Sequence, residues 1–130
     1  MRVGVVLDVS AVLAYARLDG LAVGELIGVV QDDGDITGIP MLVLVEAWPQ
    51  LDQSEREHIR RLINQEDPPA EVLPMTADVV DVVAPLVASR GYAGAQTIAA
   101  CRALDAAVAT FAPEAYEGDL DEDAILPLEE

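Results

Sequence analysis

Val3-Gly4-Val5-Val6-Leu7-Asp8-Val9-Ser10-Ala11 lies at the start of the chain, and its reading decides the fold. A short run rich in β-branched residues ends abruptly on an acid. The apolar residues that follow recur at helical spacing as far as residue 18, and Gly20 closes the run. A strand therefore passes straight into a helix. Asp8 or Ser10 is placed to cap that helix, which sets both side chains at the carboxyl end of the first strand.

Outward from this corner, Val23, Leu26, Ile27 and Val30 share one face of a second helix before the turn-forming loop Asp32-Asp33-Gly34-Asp35. Residues 39–49 show no clear period, but Pro40 suits a first helical position and Pro49 a stop, so the stretch is predicted as a helix. Residues 53–64 form the clearest amphipathic helix, with Ile59, Leu62 and Ile63 inward and Arg56, Arg60 and Arg61 outward. Asp52 and Glu57 precede Arg56 and Arg61 by four residues and are spaced to pair with them, which makes this arginine row a solvated face.

Residues 71–74 read as a second strand, and Thr76 as the cap of a helix reaching Arg90 and Gly91 with a kink at Pro85. Residues 97–106 read as a helix, 107–110 as a strand and 124–126 as a last edge strand. Strands alternating with helices, and Val-rich strands without polar alternation, predict an α/β domain with a short, mostly parallel central sheet. The 130 residues suffice for one sizeable core, so a single domain over 1–130 is expected.

Composition narrows the function classes. The chain is 52% hydrophobic and only 4% aromatic, so its core is aliphatic and nearly all of it folds. There are 24 acids against 7 bases, all seven arginine, for a net charge of -17. Such a surface repels phosphate backbones and anionic membranes, which disfavours RNA; it suits a basic protein partner or serves only to keep the protein in solution, and charge alone does not decide between them. Nine acids and no base occur from Ala103 onward, and residues 117–123 read as a solvated turn. Cys101, the only cysteine, sits in an apolar run and suits a buried role. The opening apolar run is too short for a signal peptide or membrane span, so a cytoplasmic protein is expected. His58 has no second histidine near it and reads as a surface or packing residue, and Trp48 as core or interface.

Three stretches together resemble the PIN-domain family, the fold of the VapC-type ribonuclease toxins. The first is the strand, Asp, small residue, Ser, helix pattern of Val5 to Ala11. The second is Ile39-Pro40 followed by Leu44-Val45-Glu46-Ala47, similar to the family's helix carrying a glutamate. The third is Ala99-Ala100-Cys101-Arg102-Ala103-Leu104 leading to Val108-Ala109-Thr110, similar to a late helix and a strand ending in threonine. The resemblance covers almost the whole chain. It implies a three-layer α/β/α domain whose strands end in four acids holding Mg2+ or Mn2+ for RNA hydrolysis. Asp8 and Glu46 match two of them, with Ser10 and Thr110 in support. Where the third is expected the chain has Gly94, Ala95 and Gln96, and the fourth has only Glu114, displaced beyond Thr110, as a weak stand-in. Asp105 lies about two turns past the expected place on its helix and faces elsewhere.

Phosphodiester hydrolysis needs hard oxygen ligands converging on a cation that neutralises developing charge and supplies hydroxide. Glu46, in an otherwise apolar helix, reads as a buried carboxylate, which is costly unless paired or metal-bound. The resemblance thus implies a metal-dependent ribonuclease with weak or lost activity, its ligands Asp8, Glu46 and Glu114. The rival expectation is a non-catalytic acidic module that holds a basic partner such as a DNA-binding protein or antitoxin-like peptide. A homodimer is a further possibility.

Overall fold

The computed structural model describes residues 2–129, so the ends of the expected 1–130 domain, Met1 and Glu130, lie outside it. Its elements run β1 (Val3–Leu7), α1 (Val9–Ala16), α2 (Ala22–Asp32), β2 (Ile36–Pro40), α3 (Met41–Ala47), α4 (Gln53–Asn64), β3 (Ala70–Leu73), α5 (Val80–Leu104), β4 (Ala107–Thr110) and β5 (Ile125–Pro127). The five strands form one sheet in the order β3-β2-β1-β4-β5, every neighbouring pair parallel. This is the α/β class expected, consistent with a three-layer α/β/α fold.

The layering follows from the handedness of parallel crossovers. The chain steps from β1 to β2 to β3 in one direction and then returns past β1 to β4. Right-handed connections therefore put the helices of the two directions on opposite faces. Val5, Leu7 and Ile39 pack with Val12, Ile27, Val43 and Ile59 of α1 to α4 on one side. Val6 and Val108 pack with Ile98 and Cys101 of α5 on the other. Val3 pairs with Ile36 and Val5 with Thr37, an irregularity that turns Val3 to the α5 side with Val6. A Cβ at Gly4 would lie 3.1 Å from the Asp35 Cβ.

The strand β2 is absent from the sequence-based expectation, which began a helix at residue 39. All five of its residues are buried. Strand alternation therefore has nothing to alternate with, and Thr37 and Gly38 interrupt the apolar run. Gly38 suits close packing, because a Cβ there would stand 2.9 Å from Leu73 Cδ1 and 3.0 Å from Val3 Cγ1, and those side chains would have to shift. Pro40 ends the strand and stands as N-cap of α3 without a capping hydrogen bond. The strand at Ala70–Leu73 is consequently the third, not the second.

The expected kink at Pro85 is also displaced. Pro85 lies inside α5, and the break comes at Gly91, whose φ of 74° and ψ of 172° are not helical. A positive φ carries little strain for glycine, and this one joins the two helices that the sequence separates into 76–91 and 97–106. Thr76 makes no capping bond to the following turn and instead bonds the Asp78 carboxylate. By contrast, α4 begins as its sequence predicts. The Asp52 carboxylate accepts the Glu55 N–H and the Glu55 carboxylate accepts the Asp52 N–H, each at 2.8 Å.

That capping box overturns the expected Asp52–Arg56 pair. The Arg56 guanidinium donates to the Trp48 carbonyl at 3.0 and 2.8 Å instead. Arg60 pairs with Glu57 at 3.6 Å, where Arg61 was the expected partner. Arg56 and Arg60 both lie over the Trp48 ring, 5.8 and 5.2 Å from its centre. His58 stacks on Tyr15 at 4.6 Å, a packing role as expected. Among the described residues no helix is long and apolar enough to cross a membrane.

Candidate functional site

Reversal of strand order between β1 and β4 leaves a crevice beyond their carboxyl ends, the place where open α/β sheets bind ligands. Leu7 pairs with Ala109, so Asp8 and Thr110 follow side by side at that crevice. A cleft of about 260 Å³ opens there, lined by Asp8, Glu46, Arg90, Gly94, Thr97 and Tyr116 among others.

Asp8 caps α1 from a buried position, 6% exposed. Three protein donors engage both of its oxygens. Oδ1 accepts the Ser10 hydroxyl at 2.7 Å and the Ala11 N–H at 3.1 Å, and Oδ2 accepts the Tyr116 phenol at 2.7 Å. Ser10, its one hydrogen spent on Asp8, accepts the Phe111 N–H at 3.0 Å and meets the Thr110 hydroxyl at 3.4 Å. The Thr110 hydroxyl in turn accepts the Ala112 N–H at 2.9 Å. Ser10 bonds Asp8 directly, Thr110 meets Ser10 and not Asp8, and the chain they form ends in backbone rather than at the cleft.

Tyr116 is the residue that sequence reasoning missed. Burial, reinforced by the adjacent Asp8 charge, pushes its phenol well above the ordinary 10.0, so the phenol keeps its proton and acts as donor. A weak signal was present: Tyr116 is the one aromatic residue in the acid-rich stretch after Pro113. The segment bearing it is anchored rather than solvated. Arg90 donates to the Ala115 carbonyl at 2.7 Å and pairs with the Asp119 carboxylate. Arg102 donates to the Asp119 carbonyl at 3.2 and 2.8 Å and stands 3.6 Å from its carboxylate. The expected solvated turn at 117–123 is exposed at 117, 118 and 121–123 and anchored at Asp119.

Glu46 shares the cleft lining with Asp8, but it is exposed, so the expected buried carboxylate is not found. The seven residues of α3 bury only Val43 and Ala47, and Glu46 falls on the solvent side of that stripe. Glu114 is exposed and does not line the cleft, to which its neighbours Ala115 and Tyr116 contribute. Gly94 lines the cleft where the resemblance expects a third acid, and it brings no side chain. Gln96 points away. Its Oε1 accepts the Leu42 N–H at 2.8 Å and its Nε2 donates to the Leu73 carbonyl at 2.9 Å. It supplies a partner that Pro40 denies to the first turn of α3. Asp105 ends α5 in the left-handed conformation and lies outside this cleft.

A Mg2+ or Mn2+ site of the implied kind needs free carboxylate oxygens converging from several acids. Asp8 has given its oxygens to three donors, Glu46 is the other acid of the cleft, and the Arg90 cation lines the same walls. Among the described residues no three His, Cys, Asp or Glu side chains are grouped to hold a metal. The residues as arranged do not fit that cation. Cys101, buried beside this region, has its thiol pushed up to about 12 by burial and then by the Asp8 charge, which leaves it unreactive.

No protein-family model matches the chain, and no curated protein matches it.

Proposed function

We propose that the chain is a PIN-like protein of the VapC type whose ribonuclease centre has been given over to structure, and that it works as a non-catalytic acidic module holding a basic protein partner. The observation that carries this is the Asp8 carboxylate, which is buried and accepts from Ser10, Ala11 and Tyr116. A catalytic ligand needs free lone pairs facing substrate, and this one faces the protein's own donors. Gly94 and the outlying Glu114 leave Glu46 as the cleft's one unengaged acid. The net charge of -17 supports the second half of the reading, since it attracts cationic surfaces and opposes RNA.

The test is RNA cleavage with Mg2+ or Mn2+ by the native protein and by Asp8→Asn, alongside capture of partners from the native cell. The reading expects no metal-stimulated cleavage in either protein, and a basic partner that is released as salt rises. Cleavage that requires metal and disappears in Asp8→Asn would replace this reading with the ribonuclease one.

A further inference from the structure

The seven arginines are the only bases of the chain, and the fold does not scatter them. Arg90 and Arg102 clamp Asp119. Four of the other five, Arg17, Arg56, Arg60 and Arg61, gather at the end of α1 and along α4, where they outnumber Asp52, Glu55 and Glu57. Arg17 stands 3.9 Å from Glu55 and Arg60 3.6 Å from Glu57, pairs open enough to water to hold little. Arg61 is exposed and in no ion pair among the described residues. Arg56 is tied to the Trp48 carbonyl, and both it and Arg60 lie over the Trp48 ring. Their guanidinium planes are thus set before any partner arrives.

The opposite condition holds after β4. Glu114, Glu117, Asp121, Glu122 and Asp123 are exposed, and the nearby cations are spent on Asp119, which fixes the segment that presents them. The turns carrying these acids pack on β4 and β5 and, through Tyr116 and Leu120, on the α5 side of the sheet. By contrast, α4 packs on α1 and β3, with Ile59 and Leu62 on the other side. The strands β3 and β5 are the two edges of the sheet, about 19 Å apart at four strand spacings. One molecule's acids are therefore out of reach of its own arginine face. A second molecule's are not.

We propose that the arginine face of α4 is a docking surface for a second copy of this chain, whose exposed acids at 117–123 it receives. Giving and receiving surfaces differ and lie at opposite edges of the sheet, so the contact is head-to-tail and leaves both ends free for further copies. The net charge of -17 opposes it at long range while the opposed charges attract at contact, which confines association to a window of salt. At about 0.01 M salt the Debye length of about 30 Å lets whole molecules repel, and near 1 M even the contact pairs are screened. Around 0.15 M, where that length is about 8 Å, the touching surfaces dominate. This inference goes beyond the reading of Asp8 and does not depend on it.

The experiment is sedimentation velocity of the native protein over rising concentration at the three salt levels. At the middle one, association with a Kd of roughly 0.1 mM is expected, the strength of a small charged contact, with the mean mass still climbing past the dimer at the highest loading. It should weaken at both the lower and the higher salt. Two variants then separate the surfaces, with circular dichroism checking that each is folded. Arg60→Glu/Arg61→Glu spoils the receiving face, Glu122→Gln/Asp123→Asn the giving edge, and each alone should associate roughly tenfold or more weakly than the native protein. Mixed in equal amounts they retain one good face and one good edge, so the mixture should form dimers and nothing larger. A native protein that stays monomeric at all three salts overturns the proposal, and so does a closed dimer that grows no further. Association untouched by both variants, or a mixture no larger than its parts, overturns it as well. The native salt profile needs no variant, so the proposal stands or falls even where a substituted chain fails to fold.

Discussion

Asp8 and Glu46 face one cleft from two elements and have met opposite fates. Asp8 sits where a strand turns into a helix, so its side chain is drawn into the cap of α1 and buried under Tyr116. Glu46 lies near the end of a two-turn helix whose apolar stripe excludes it, and it stays in water. The difference teaches that the motif surrounding an acid does not settle its role. What does is the number of protein donors the fold aims at its oxygens, three for Asp8.

The contrast is sharpest when each acid is removed. Asp8→Ala leaves the Ser10 hydroxyl, the Ala11 N–H and the Tyr116 phenol without their acceptor, and a loss of about 3–5 kcal/mol in urea-unfolding stability is expected. Glu46→Ala should change stability by no more than about 0.5 kcal/mol. Equal losses at the two positions would break the comparison.

A smaller effect isolates the phenol. Tyr116→Phe should lower stability at neutral pH by about 1.5–3 kcal/mol, the worth of a hydrogen bond to a charged group. Its alkaline behaviour is more specific. Cys101 is raised from 9.0 to about 12 and Tyr116 is raised above its ordinary 10.0, so the folded state holds both protons where the unfolded chain releases them. The native state then binds more protons, and stability must fall as pH rises. The full contribution is present below about pH 9. Above it the loss runs at about 1.4 kcal/mol per pH unit for Cys101, and beyond pH 10 Tyr116 and Tyr15, which burial also raises, each add up to about the same again. Tyr116→Phe should keep the first slope and lose the part that Tyr116 adds beyond pH 10, measured by urea unfolding at successive pH values.

Smallest of all is the clamp. Asp119→Asn weakens two ion pairs that are partly open to solvent, for about 1 kcal/mol, and the loss should shrink in high salt. A salt-independent loss would mean that Asp119 acts through packing instead of charge.

Much of this was legible from residue order. The β1–α1 corner, the amphipathic α4 and the strand ending at Thr110 each follow from local signals that tertiary contacts reinforce. Asp8 as a cap and Cys101 as a buried thiol belong with them. The strand β2 was not legible because complete burial removes alternation, and Gly38 packs against Leu73 and Val3, which are distant in sequence. At the candidate site, Asp8 and Glu46 do line one cleft, but the exposure of Glu46 was not legible, since a short helix gives too few turns to define its inward stripe. The roles of Tyr116 and Gln96 depend on contacts across 108 and 54 positions, beyond the reach of spacing.

The break at Gly91 has a consequence for the far side of the sheet. Arg90 precedes it and Arg102 follows it, and a single acid, Asp119, is shared by both. One side chain thus braces the elbow of α5, and the elbow in turn fixes where the loop beyond β4 can rest. A substitution at residue 91, where φ disfavours any side chain, would alter that angle and be felt at the tip of the first strand, though it touches nothing there.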